Sequence, residues 1–234
     1  MRVPVRSCRS VFLLTLLIPI AIGSAAAQGF KFSQPDDADK ADKAASEARQ
    51  DRIAEDLATP CRADLKGKKI MVVIGQRQSN GVVAAHQQNY GQHFQAINTR
   101  LRALGLRTFT PEEIKAQVAQ AEIDAYFRND PDAALAAAKR LGASFVLRGL
   151  ISSDAARNAV IPVNQVSVSM GFTLTGGNGK TLSNVEANSS SFAGADVQRM
   201  ALTLVNEQAD EVVARLYADY CRNAGLTSAS VKKK

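Results

Sequence analysis

The sequence predicts a mixed α/β domain: a sheet that begins parallel and ends in an antiparallel hairpin, with helices packed on it. Residues 143–151 form a short, nearly continuous apolar run, the pattern of a strand covered on both faces. Val166, Val168, Met170, Phe172 and Leu174 then alternate strictly with Ser167, Ser169, Gly171, Thr173 and Thr175. That period of two sets one oily face against a core and one small, polar face outward. Gly176-Gly-Asn-Gly179 turns the chain, and residues 180–191 return it as the second arm of a hairpin.

The remaining elements are read in order. Residues 68–74 (Lys-Lys-Ile-Met-Val-Val-Ile) are a buried type of strand, followed by a loop rich in amides: Gln76, Gln78, Asn80, Gln87, Gln88 and Asn89, with Arg77 and His86 among them. Tyr90, Phe94, Ile97, Leu101 and Leu104 recur at helical spacing, Gly105 is placed to end that helix, and residues 106–109 are a short second strand. Thr110-Pro-Glu-Glu113 opens a helix with an N-cap hydroxyl, proline at the first position and acids facing the positive end of the dipole. It is expected to run to about residue 127. Asp130-Pro131 opens another, stopped at Gly142. Asp196 caps a long closing helix whose stripe is Val197, Met200, Leu204, Val212, Leu216 and Tyr220. The order is β-α-β-α-α-β-β-β-α, a mixed sheet clad in helices. The 61–223 stretch has the length for one core and hardly for two.

The N-terminus reads as an address. Arg2, Arg6 and Arg9 precede an apolar run ending in Gly23-Ser-Ala-Ala-Ala27, the layout of a secretory signal peptide with cleavage after Ala27. The run is about 12 residues long and contains Pro19, against the roughly 20 apolar residues needed to span a bilayer. Residues 1–27 are therefore expected to be removed in the periplasm. Three arginines would leave with them, lowering the net charge from +7 to +4. Lys232, Lys233 and Lys234 hold three of those charges in a basic flexible tail, 224–234, so the folded body is close to neutral and no nucleic-acid surface is expected. Residues 28–60 are polar and mixed in charge, either a linker or a loose helix without an apolar stripe.

Of the three cysteines, Cys8 falls inside the signal. The remaining pair, Cys61 and Cys221, is expected to form a disulfide in an exported chain and to tie the two ends of the domain together. Two free thiols or a metal pair are the alternatives, and two cysteines without neighbouring histidines make a poor zinc site.

Residues 130–151 (Asp-Pro-Asp-Ala-Ala-Leu-Ala-Ala-Ala-Lys-Arg-Leu-Gly-Ala-Ser-Phe-Val-Leu-Arg-Gly-Leu-Ile) follow a pattern of helix, Leu-Gly-Ala and a buried strand ending in glycine. This resembles an envelope group comprising the curli-secretion channel protein, the lipoprotein activators of peptidoglycan synthases and the N-terminal domain of TolB. The alternating hairpin and long helix match that group's element order across 68–221. The resemblance implies an envelope adaptor. The sequence departs from the lipoprotein members in having Gln28, not cysteine, after the expected cut, and no TolB-like propeller follows in these residues. Kinship would then imply a soluble adaptor in place of an anchored one.

A search for chemistry finds no catalytic set. Residues 175–181 (Thr-Gly-Gly-Asn-Gly-Lys-Thr) suggest a phosphate loop, but the glycine that motif needs is Leu174, and a strand follows where a helix N-terminus should stand. His86 and His93 are seven residues apart with no third ligand near them in sequence. Ser79 and the 189–191 serines lack a nucleophile elbow. Glu112 and Glu113 read as dipole-compensating acids. No metal or cofactor is expected. The sequence points to a non-enzymatic periplasmic module binding envelope proteins, with Gln76, Arg77, Asn80 and His86 of the first loop and Ser167, Ser169 and Thr173 of the alternating strand as contacts. A periplasmic enzyme or small-ligand binder using the first βα loop is the second reading, and an oligomeric pore subunit, with the polar strand face lining a lumen, the third. Homo-oligomerisation accords with either binding role.

Overall fold

The computed structural model describes residues 37–77, 82–85, 91–128, 130–157, 163–193 and 196–224. The chain divides into two units, 1–40 and 41–234; the first is described only from Asp37 to Lys40, which are helical. The elements are α1 (Asp37–Leu57), α2 (Arg62–Leu65), β1 (Lys69–Arg77), β2 (Val83–Ala84), α3 (Gly91–Ala103), β3 (Arg107–Thr108), α4 (Pro111–Gln117), α5 (Gln120–Phe127), α6 (Pro131–Leu141), β4 (Phe145–Arg157), β5 (Asn164–Gly176), β6 (Thr181–Ala193) and α7 (Val197–Asn223).

One mixed sheet organises the second unit, in the order β2-β1-β4-β5-β6, with β3 also on β1. β1 pairs parallel with β4 from Ile70 to Gln76 and parallel with β3 at Lys69 and Ile70. β4, β5 and β6 are antiparallel neighbours, each 13 residues long. The mixed α/β architecture expected from the sequence is therefore the one observed.

Its details differ in several places: α2 was not expected, β1 runs on through residues 75–77 where a loop was expected, and β4 extends past Ile151 to Arg157. The helix expected from Thr110 to about residue 127 is two helices, because Val118 and Ala119 are extended between α4 and α5. Glu122 restarts the chain there by accepting the Ala119 N–H at 3.0 Å, and Arg140 of α6 donates to both of its carboxylate oxygens. The two-residue strand β2 is also additional; it sits antiparallel on the far end of β1. The helix starts follow the sequence. Thr110 accepts from the Glu113 N–H while Glu113 returns the bond, Asp130 accepts from Asp132 and Ala133, and Asp196 accepts from Arg199. Gly142 ends α6 with φ 65°, the left-handed conformation that glycine adopts without a Cβ penalty.

The core has a layer on each face of the sheet, and one of them lies under α3 and α7. Ile70, Leu147 and Leu174 from the strands meet Leu101 and Leu104 of α3 and Val213 and Leu216 of α7. On the opposite face Met71, Val73 and Val146 are buried as well, with α5 and α6 beside them, and the part of the sheet toward β6 is left open. Phe127 lies against Gly75, and the Arg148 guanidinium sits 5.4 Å from the centre of the Tyr126 ring.

Cys61 and Cys221 are disulfide-bonded, with Cα atoms 5.7 Å apart and a sequence separation of 160. Around this bond the start and end of the domain lock together. Tyr217 donates its hydroxyl proton to the Thr59 carbonyl and accepts the Cys61 N–H. Tyr220 donates to Asp64, which also pairs with Lys68 at 2.6 Å. Helix α1 has no apolar stripe; Ile53 is its buried residue, and Arg49 and Arg52 pair with Glu211 of α7.

Candidate interaction face

Strand alternation sorts the residues of the outer strands onto two faces. On β5, Val166, Val168, Met170, Phe172 and Leu174 are buried, whereas Gln165, Ser167 and Ser169 are exposed and Gly171, Thr173 and Thr175 are half-buried. On β6, beyond Thr181 at its start, the exposed positions are Asn184, Glu186, Asn188, Ser190 and Phe192. The pairing register sets these side chains in rows across the sheet: Asp154-Ser167-Ser190, Ser152-Ser169-Asn188, Leu150-Gly171-Glu186 and Arg148-Thr173-Asn184.

The rows are tied by side-chain hydrogen bonds, the sheet counterpart of helix surface pairs. Ser169 Oγ donates to Asn188 Oδ1 at 2.5 Å, and Thr173 Oγ1 to Asn184 Oδ1 at 3.2 Å. Between these two rows Gly171 contributes no side chain, and a Cβ placed there would have nothing within 4 Å. The result is a shallow trough of about 350 Å³ bordered by Arg77, Leu150, Ser152, Ser169, Glu186 and Asn188. Its walls carry one cation, one anion, two hydroxyls and an amide, with Leu150 as the apolar contribution. This is a surface that can exchange hydrogen bonds with a polar chain laid across it.

The residues singled out from sequence separate on this framework. Arg77, Ser167, Ser169 and Thr173 share the open face. Gln76, next to Arg77 on β1, points to the other face and lines a cleft with Gln92 and His93 of α3, Ile151 and Ser153 of β4 and Gln198 of α7. Asn80 and His86 lie outside the described residues. Burial holds the His93 pKa below the ordinary histidine value. Hydrogen bonds from Lys68 and then Tyr220 hold the Asp64 carboxyl below the ordinary carboxylate range. Among the described residues no group of three His, Cys, Asp or Glu side chains is gathered to hold a metal ion, and no helix is long and apolar enough to cross a membrane.

Sequence reading missed Leu150, Ser152, Glu186 and Asn188, which border the same trough. Leu150 and Ser152 come into place through the pairing of β4 with β5, whereas the signal for Glu186 and Asn188 was the hairpin register, which a bulge hides. Thr175 faces Thr181 but Leu174 faces Ser183, so Leu182 is an extra residue that shifts every pairing beyond it by one.

No protein-family model and no curated protein matches the sequence. Among solved structures, the chain is similar to lipoprotein GNA1162 from Neisseria meningitidis, with 16% identity over 62% of this chain and 97% of that one, TM-score 0.41. It is similar to the PelC dodecamer from Paraburkholderia phytofirmans, with 17% identity over 63% and 88%, TM-score 0.37. A third is the LpoB C-terminal domain from Salmonella enterica, with 16% identity over 60% and 94%, TM-score 0.38. Similarity at this level assigns neither a family nor an activity to the chain.

Proposed function

We propose that the chain is a non-enzymatic protein-binding module of the bacterial periplasm, acting in envelope assembly, secretion or cell-wall synthesis. The observation that carries this reading is the open face of β4, β5 and β6. Rows of serine, threonine and asparagine replace the covering helices found on the other side. Export is supported by the basic and apolar N-terminal pattern together with the Cys61–Cys221 bond, since disulfides persist in oxidising compartments.

Site-specific photo-cross-linking from Ser167 in cells tests it. The expected result is a cross-link to an envelope protein that disappears when Gly171→Arg fills the trough, with the fold retained because space is free above Gly171. Recovery of no envelope protein from Ser167, or a cross-link indifferent to Gly171→Arg, would count against the reading.

A second reading is favoured by the cleft at the carboxyl end of β1, beside the middle of β4, since ligands of α/β sheets tend to bind at strand carboxyl ends. There a small polar ligand would meet Gln76, His93 and Ser153. Retention of a co-purifying small molecule by the wild type and its loss from Gln76→Ala would favour this alternative.

A further inference from the structure

We infer that β6 is a docking strand for a second copy of this chain, paired antiparallel about a two-fold axis at Ser190. β6 is the outermost strand on its side of the sheet, and among the described residues no strand pairs with its outer edge. Which of its backbone groups face outward follows from the ladder. Gly177 N–H bonds the Ser144 carbonyl and Gly176 N–H bonds the Lys180 carbonyl, so odd residues of β5 face β4 and even ones face β6. Through the register Phe172↔Val185, the odd residues of β6 face β5. The N–H and C=O groups of Asn184, Glu186, Asn188, Ser190 and Phe192 therefore point off the sheet.

Part of this edge is already covered. Asn223 donates to the Leu182 carbonyl at 2.6 Å and Arg215 to the Glu186 carbonyl at 3.1 Å, both from α7. The stretch from Asn188 to Phe192 has no such cap among the described residues. It contains no charge and no proline, the devices that usually keep an edge from pairing, and it ends in Phe192, 54% exposed.

The chain's own continuation is an unfavourable occupant. β1-α3-β3 crosses the sheet on the α3/α7 face and moves away from β4. β6 runs in the same direction as β1, and α7 lies on that same face, so a parallel strand added beyond β6 would complete a left-handed crossover, which proteins essentially avoid.

A second β6 fits the uncapped stretch without remainder. A two-fold axis at Ser190 sets Ser190 against Ser190 and, on each side, Asn188 of one copy against Phe192 of the other. Each of these three pairs exchanges two backbone hydrogen bonds, and every position used is one that α7 leaves uncapped. All their side chains lie on the open face, so the exposed phenyl ring is laid over its neighbour's Asn188. Glu186 is the one charged residue of β6. The two copies of it stand eight positions apart, about 27 Å along the strands and beyond the screening length of roughly 8 Å at physiological salt. The dimer uses the edge and not the face, so it stands whether or not the open face binds another protein.

Sedimentation velocity over a wide concentration range tests it. The expected result is a reversible monomer–dimer equilibrium. Ser190→Pro should weaken it about tenfold or more, by deleting an outward N–H while sparing the ladder to β5. Ser190→Lys, a change at an exposed position, should do the same by placing like charges on the axis, and mixing S190K with S190D should restore a dimer made of one of each. A wild type that stays monomeric throughout would overturn the inference. So would a dimer unaffected by S190K, or a charge-swapped mixture that stays monomeric. Should S190P fail to fold, the S190K and S190D pair decides the matter alone.

Discussion

Replacing Gly149 by alanine should destabilise the domain, although alanine is ordinarily the better strand residue. Gly149 lies on β4 directly opposite Phe172 of β5. It is an odd residue of β4, so this is a non-hydrogen-bonded pair, the closer of the two antiparallel spacings, with Cα atoms about 4.5 Å apart. A Cβ on Gly149 would lie 2.6 Å from Phe172 Cε1, 3.1 Å from Cδ1 and 3.4 Å from Ile74 Cγ1. The first contact is about 1 Å inside the optimal separation of two carbon atoms. Phe172 and Ile74 are both fully buried, so neither can swing into solvent to make room. Overpacking of this kind costs about 1–3 kcal/mol, against which alanine recovers about 0.5–1 kcal/mol of backbone entropy. The net expectation is a loss of roughly 1–2 kcal/mol, read as a lower urea midpoint at unchanged slope. Gly171→Ala, one strand over and open to solvent, is the matched control and should be neutral or stabilising by up to about 1 kcal/mol. Phe172→Leu should relieve part of the Gly149→Ala cost in the double variant, giving a coupling energy between the two sites. A Gly149→Ala protein as stable as Gly171→Ala would refute the reasoning.

Three more outcomes are expected. Reducing the Cys61–Cys221 bond, or replacing both cysteines by alanine, should lower stability by up to about 5 kcal/mol, the loop-entropy limit for a closure of this length. Two titratable thiols in the unfolded, unreduced chain would show the bond absent. The Asp64 pKa is lowered below its ordinary 3.8, so its contribution is present above that value and lost as pH falls through the folded pKa. Asp64→Asn should flatten the acid limb of a stability–pH curve, and an unchanged limb would remove Asp64 as its source. The His93 pKa is lowered below 6.5 by burial, so the unfolded chain binds the extra proton. Stability should rise with pH up to about 6.5, a slope that His93→Gln removes if His93 is its source.

Much of the sheet was legible in the sequence because β5 alternates without a break from Val166 to Thr175, and period two has no helical interpretation. Helix starts were legible where the cap is chemical, as at Thr110, Asp130 and Asp196. The break at Val118-Ala119 was not, since alanine offers no capping oxygen and the restart depends on Glu122 reaching back to a backbone N–H. The candidate contacts were half legible for a similar reason. Ser167, Ser169 and Thr173 announce an outward face by themselves, but Asn188 and Glu186 join them only through a register that the extra residue at Leu182 displaces. Gln76 and Arg77, neighbours in sequence, fall on opposite sides of the sheet, as alternation demands of any two adjacent strand residues.

The bond between Cys61 and Cys221 also fixes how the protein bears load. A pull applied between the first and last residues runs along α1 to one sulfur and leaves through the other. The helices and strands enclosed by that covalent ring feel almost none of the tension. A molecule held at one end by a large assembly could have its leading arm unravelled while the sheet, and whatever rests on it, keeps its shape.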